Sequence, residues 1–276
     1  MNSITICGCV YNCAPYLRKV FENIRKIGDL FDTYSIVIAI DISEDDSYNI
    51  LLDIQKEIPM EIIVNKNPRS KTSRCENIAN ARNSILDFIR KSQKEQYYDY
   101  FAMMDMDDVN AGTIHTPVLQ KYILNSSKWD SISFNRRFYY DIWALSVQPF
   151  IISCWHWSND SIQFENPEVV QIMHNYISNR LASTTQLVDV FSAFNGFAVY
   201  KTGIFLSGSY ESDIRKNLDI LPRPLIEENI HFLGKSIFLN FTEDCEHRYF
   251  HLKAKFGGAS IKIAPDILFE EYNSPT

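Results

Sequence analysis

The chain has little that would place it in a membrane or a secretory route. No hydrophobic run reaches the length of a span, and the N-terminus lacks the basic start and long apolar centre of a signal peptide. The expectation is a soluble, cytoplasmic protein without a transmembrane segment. Basic charge is not in excess either. Against 27 Lys and Arg stand 34 Asp and Glu, a net charge of −7, which argues against general nucleic-acid binding. The six cysteines (Cys7, Cys9, Cys13, Cys75, Cys154 and Cys245) form no C-x-x-C pair, so a structural zinc site is not expected and a reducing compartment fits. No repeat and no low-complexity linker divides the 276 residues, which predicts one continuous domain with a sizeable core.

What is present is an alternation of strand and helix patterns. Residues 4–10, 35–41 and 61–65 read as short buried strands. Between the first two lies helical spacing at Leu17, Val20, Phe21, Ile24 and Ile27. Between the second and third lies a helix carrying Leu51, Leu52 and Ile58, with Ser43 as its candidate cap. This order predicts a parallel, doubly wound sheet. A basic loop, 68–74, precedes a helix over about 76–91. Arg82 falls inside that helix's apolar stripe, where it must either lift its head to solvent or meet a partner; a partner is the preferred reading.

The stretch 98–110 is the most distinctive. An aromatic and apolar run ends in Asp105, Asp107 and Asp108. Such a run reads as a strand buried on both faces, and an open α/β sheet binds ligands beyond the carboxyl ends of its strands. On an extended chain Asp105 and Asp107 point the same way, and two such oxygens suit Mn²⁺ or Mg²⁺. Beyond residue 110 the spacing predicts helices near 116–124 and 169–181, and strands at 131–134, 143–147, 193–200 and 236–241. The polar segment 213–228 reads as a mobile loop. Arginine and aromatic residues crowd 135–143, and Trp155, His156 and Trp157 lie within 150–164. Aromatic faces with a few polar groups suit stacking on sugars, and core filling serves equally well.

Tyr11 and Asn12 after the first strand, the run Asp41, Ser43, Asp45, Ser47, the trio Ala81, Arg82, Asn83, and Asp105, Asp107, Asp108 together resemble a metal-dependent nucleotide-sugar glycosyltransferase of the GT-A fold. Asn195 to Lys201, with Cys245, Glu246, His247 and His251, is similar to capsular-polysaccharide, mannosyltransferase-like proteins, and the compact chain resembles transferases of large DNA viruses, which would act in the host cytoplasm. The resemblance implies a mixed, mostly parallel central sheet flanked by helices in a single domain, with a donor half (1–110) and an acceptor half (111–276). It implies that Val10, Tyr11 and Asn12 line the nucleotide base, that Asp41 meets the base or ribose, and that Arg74 and Arg82 meet the diphosphate or the donor-site carboxylates. Asp105 and Asp107 would hold the ribose and the Mn²⁺ or Mg²⁺, with Met106 beside the donor. The expected partners are a UDP- or GDP-linked sugar and a glycan or glycoprotein acceptor.

His247 is the candidate to complete the metal shell, with a hydrogen-bonded core histidine as the alternative. Glu246 and Asp244 are the candidate catalytic carboxylates. Trp143, Asp141 and Trp155 are the candidate acceptor contacts. Two rivals remain open. Asp105-x-Asp107-x-Val109 also fits the nucleophile motif of a haloacid-dehalogenase-type phosphatase. A non-catalytic carbohydrate-binding protein would account for the aromatic middle.

Overall fold

The computed structural model describes residues 2–66, 69–93, 96–158 and 166–272. Its strands are β1 (Ser3–Val10), β2 (Thr33–Asp41), β3 (Glu61–Asn65), β4 (Tyr100–Asp105), β5 (Ser131–Asn135), β6 (Val188–Asp189), β7 (Phe197–Lys201) and β8 (Ile261–Ile267). Among the described residues they form one sheet in the order β3-β2-β1-β4-β7-β5-β8-β6. β3, β2, β1 and β4 run parallel. β7 lies antiparallel between β4 and β5, β8 runs parallel to β5, and β6 closes the far edge antiparallel to β8. The helices are α1 (Leu17–Gly28), α2 (Ser47–Glu57), α3 (Arg74–Ser92), α4 (Thr116–Ile123), α5 (Pro167–Ala182), α6 (Thr202–Phe205), α7 (Ile214–Ile220), α8 (Arg223–Leu233) and α9 (Glu246–Phe256).

Both faces of the sheet are buried, which is why its strands read as apolar runs rather than alternating ones. Ile36, Ile38 and Ile40 of β2, with Tyr100, Ala102 and Met104 of β4, join the stripe of α1 in one core. Val37, Ala39, Phe101 and Met103, one residue out of phase, join Ala81, Ile85 and Ile89 of α3 in the other. Chain order then sets the site. β1, β2 and β4 all end on the same edge, so the loops after Val10, Asp41 and Asp105 converge.

Several expectations are corrected. Segments 143–147 and 236–241 are not strands. They are irregular, joined to neighbours by single bridges such as Ser146 to Ser192 and Trp157 to Ile237. The expected loop at 213–228 is helical in α7 and α8. Ile214, Leu221 and Ile226 turn inward while Arg215, Lys216 and Asp219 face solvent, so average polarity concealed an amphipathic pattern. β7 starts only at Phe197, because Asn195 (φ 54°) and Gly196 (φ 85°) are left-handed and break the extended run. Ser43 does not cap α2, which starts after Asp46; its hydroxyl accepts from the Asn12 amide instead. Pro68 of the basic loop and residues 159–165 of the aromatic stretch lie outside the described residues.

Candidate active site

The loop after β1 is laced to the loop after β2. The amides of Asn12, Cys13 and Ala14 donate to Ser43 Oγ, Ser47 Oγ and Asp45 Oδ2 at 3.2, 2.8 and 2.9 Å. Asn12 holds a left-handed φ of 54° and accepts from the Glu44 amide at 2.8 Å, so its side chain serves the loop. Tyr11 is left exposed beside the buried Asp41. Arg69, a residue the sequence reading did not single out, joins them: its guanidinium lies 3.6 Å from the Tyr11 ring centroid and pairs with Asp41 Oδ2, while Asn65 donates to Asp41 Oδ1. The basic loop was the only sequence signal for Arg69. Met106 packs over Gly8, where a Cβ would come within 2.3 Å of the Met106 sulfur, so β1 needs glycine there.

Asp105 ends β4 in a net of fixed groups. Its amide donates to Gly196 O at 2.9 Å, and Asn110 Nδ2 reaches Asp105 O at 2.8 Å and Gly196 O at 2.7 Å. Arg136 braces the same turn through Val109 O and Asn110 Oδ1, both at 2.6 Å. Of the Asp105 carboxylate oxygens, Oδ2 accepts from Tyr140 at 2.8 Å and Oδ1 from Arg82 Nη2 at 3.1 Å. The other Arg82 nitrogen, Nη1, donates to Glu246 Oε1 at the start of α9. Arg82 therefore has its partner, two of them, on different elements. Burial works against its charge, but Glu246 and Asp105 outweigh burial and raise its pKa. Burial also pushes the Glu246 carboxyl above its usual range, with Arg82 pulling the other way.

Two cavities, of about 130 and 140 Å³, meet along Arg74, Ile78, Arg82 and Asp105. The first opens on Val10, Tyr11, Asp41, Met106 and Asp107. The second opens on Tyr140, Asp141, Trp143, Trp155, Glu246 and His247. Trp143 and Trp155 stand 6.5 Å apart there, tilted by 46°. Arg74 is held at the cleft by the start of α3, where Glu243 accepts from Ser73 Oγ and the Cys75 amide and so caps the helix with negative charge. Asp107 is pushed up to about 7 by burial and by the charges of Asp105 and Asp108. Like charge crowded in this way is what a hard divalent cation offsets.

Two expected site residues have other surroundings. Among the described residues no group of three or more His, Cys, Asp or Glu is gathered as for a metal, and His247 lines the second cavity while Asp107 lines the first. The His247 ring stacks 3.8 Å from the Phe194 centroid, and both its ring nitrogens are buried without a hydrogen-bond partner, Nε2 lying 3.9 Å from Glu246 Oε1. Asp244 is not at the cleft. It is fully buried, accepts from Arg248 and Asn217 at 3.1 and 2.7 Å, and is a structural ion-pair partner.

A family model described as Glycosyl transferase family 2 matches residues 5–159, more than half of the chain. The chain belongs to that family. Its fold is GT-A. Among solved structures this family 2 chain is similar to S. aureus TarS, with 11% identity and a TM-score of 0.51 over 99% of this chain and 37% of that one. A TarS fragment, 1-349, solved with UDP-GlcNAc gives 12% identity and a TM-score of 0.50 over 99% of this chain and 59% of that one. A mannosyltransferase from Pyrobaculum calidifontis, solved with GDP-Man and Mn²⁺, gives 12% identity and a TM-score of 0.49 over 97% and 56%. The family 2 chain thus spans less than two thirds of these relatives' own lengths. A comparison with curated protein sequences finds no match. Among the described residues no helix is long and apolar enough to cross a membrane. Family membership overturns the phosphatase reading. The geometry agrees, because the Asp105 strand follows three strand–helix units rather than opening the fold.

Proposed function

We propose that the chain transfers one sugar from a nucleoside-diphosphate sugar to a hydroxyl of a glycan acceptor. The observation that carries this reading is the pair of adjoining cavities that share Asp105 and Arg82, one ending in Tyr11 and Asp41, the other in Glu246 and two tryptophans. In this reading Tyr11 and Asp41 receive the base and ribose, and Arg74 and Arg82 face the diphosphate. Asp107 with Asp105 would hold Mn²⁺ or Mg²⁺, an ion that takes one or two carboxylates and fills its remaining positions from substrate phosphates. Held there, the ion would neutralise charge on the leaving diphosphate. Trp143, Trp155 and Asp141 would orient the acceptor sugar. Glu246, buried and shifted upward, takes the proton of the acceptor hydroxyl while the bond from oxygen to the anomeric carbon forms and the bond to the diphosphate breaks.

Calorimetry with UDP and with GDP tests the donor side. Binding is expected to need Mg²⁺ or Mn²⁺, and Asp107→Ala is expected to abolish it without lowering the melting temperature. Metal-dependent binding retained by that variant sinks the assignment of Asp107. Hydrolysis of a panel of UDP- and GDP-sugars with Mn²⁺ then identifies the donor. UDP-linked sugars come first, since UDP-GlcNAc occupies the TarS fragment.

A further inference from the structure

Arg82 is shared between two carboxylates that the proposed reaction uses separately. It rises from α3 and is almost wholly buried, and its two terminal nitrogens pair with Asp105 on the donor side and Glu246 on the acceptor side. Its third donor, Nε, is buried with no protein partner. The guanidinium also rests 4.8 Å from the Phe194 ring centroid, within cation–π reach. The Arg82 charge pulls the Glu246 pKa down against the rise that burial gives it, so losing that partner would make Glu246 a stronger proton acceptor. A diphosphate entering along Arg74 and Arg82 offers that fork stronger, bidentate partners.

We infer that Arg82 is a donor-sensing latch: it clamps Glu246, and a nucleoside diphosphate draws it off, releasing the carboxylate for the acceptor. Arg82 is then a positioning residue acting through Glu246, and the device couples donor arrival to activation of the base. The inference rests on the donor reading given above. It carries a thermodynamic consequence that needs no acceptor. Part of the nucleotide's binding energy is spent opening the clamp, so the apparent affinity is lowered by the fraction of molecules in which the clamp is open. Weakening the Glu246 end must tighten nucleotide binding.

The test is calorimetry of UDP and GDP with Mg²⁺ on wild type, Glu246→Gln, Glu246→Asp, Arg82→Gln and the double variant Arg82→Gln/Glu246→Gln. Removing the clamp is expected to tighten binding roughly tenfold, the gain for a latch open about a tenth of the time. Glu246→Asp keeps the charge but is one methylene short, and it is expected to gain in the same direction. Arg82→Gln is expected to weaken binding, and adding Glu246→Gln to it is expected to give nothing more. Unchanged or weaker binding in both Glu246 variants overturns the latch. A gain that survives in the Arg82→Gln background is general electrostatics and also overturns it. Wild type that binds neither UDP nor GDP overturns the donor reading itself, and the latch with it.

Discussion

Asp141 lines the second cavity, and its carboxyl accepts from the amides of Ala144 and Asn195 at 3.1 and 3.2 Å. Burial, then the charge of Asp105, pushes its pKa from 3.8 up to about 7. The unfolded chain loses this proton near the ordinary value, while the folded chain keeps it until about 7. Across that window the folded state binds more protons, so stability falls as pH rises and levels off above it. Asp141→Asn keeps an accepting oxygen and cannot ionise. It is expected to melt with wild type near about pH 4 and above it near about pH 8, by on the order of a few kcal/mol at most; equal melting curves at both values would show that Asp141 titrates normally. At this scale the sequence was legible where a charge stood against its pattern. Arg82 in an apolar stripe demanded a partner, and Asp105 ended a buried run. Arg69, Tyr140 and Arg136 sat among other basic and aromatic residues, and nothing local separated them from their neighbours.

The turn into β7 shows what one element contributes to the site. Gly196 has a φ of +85°, and a Cβ there would stand 2.5 Å from Val109 Cγ1. Its carbonyl accepts both the Asp105 amide and the Asn110 side chain. Gly196→Ala is therefore expected to cost roughly 1–3 kcal/mol of stability. It should also weaken nucleotide binding in the folded fraction, by displacing Asp105; denaturant midpoints and calorimetry separate the two effects. The first four strands were legible because parallel strands buried on both faces make continuous apolar runs. Of the later ones, β5 and most of β7 were legible, while β6 and β8 were not. β6 has two residues, β8 is paired over a bulge at Phe134 and Asn135, and 143–147 uses strand-like residues in an irregular core segment. Pairing at that distance along the chain leaves no local period to read.

For the molecule as a whole, one buried pair ties α9 to the irregular segment before it. Arg248 bonds Asp244 at 3.1 Å and also donates to the carbonyls of Leu145 and Ile151. Asp244→Ala leaves that arginine buried without its partner and is expected to cost about 3–5 kcal/mol. Nucleotide affinity of the protein that remains folded should not change; a loss of affinity with stability intact would return Asp244 to the site. β4 and β7 pair antiparallel, so the residues before and after 110 share one continuous sheet. That sheet ends in β3, five residues long, and β6, two residues long, where Asp189 accepts from Lys255 and Lys262. Unpaired strand edges are where chains stick to one another and fibrils begin. Here one edge is short and the other is short and charged, so a strand from a second molecule finds almost no ladder to extend.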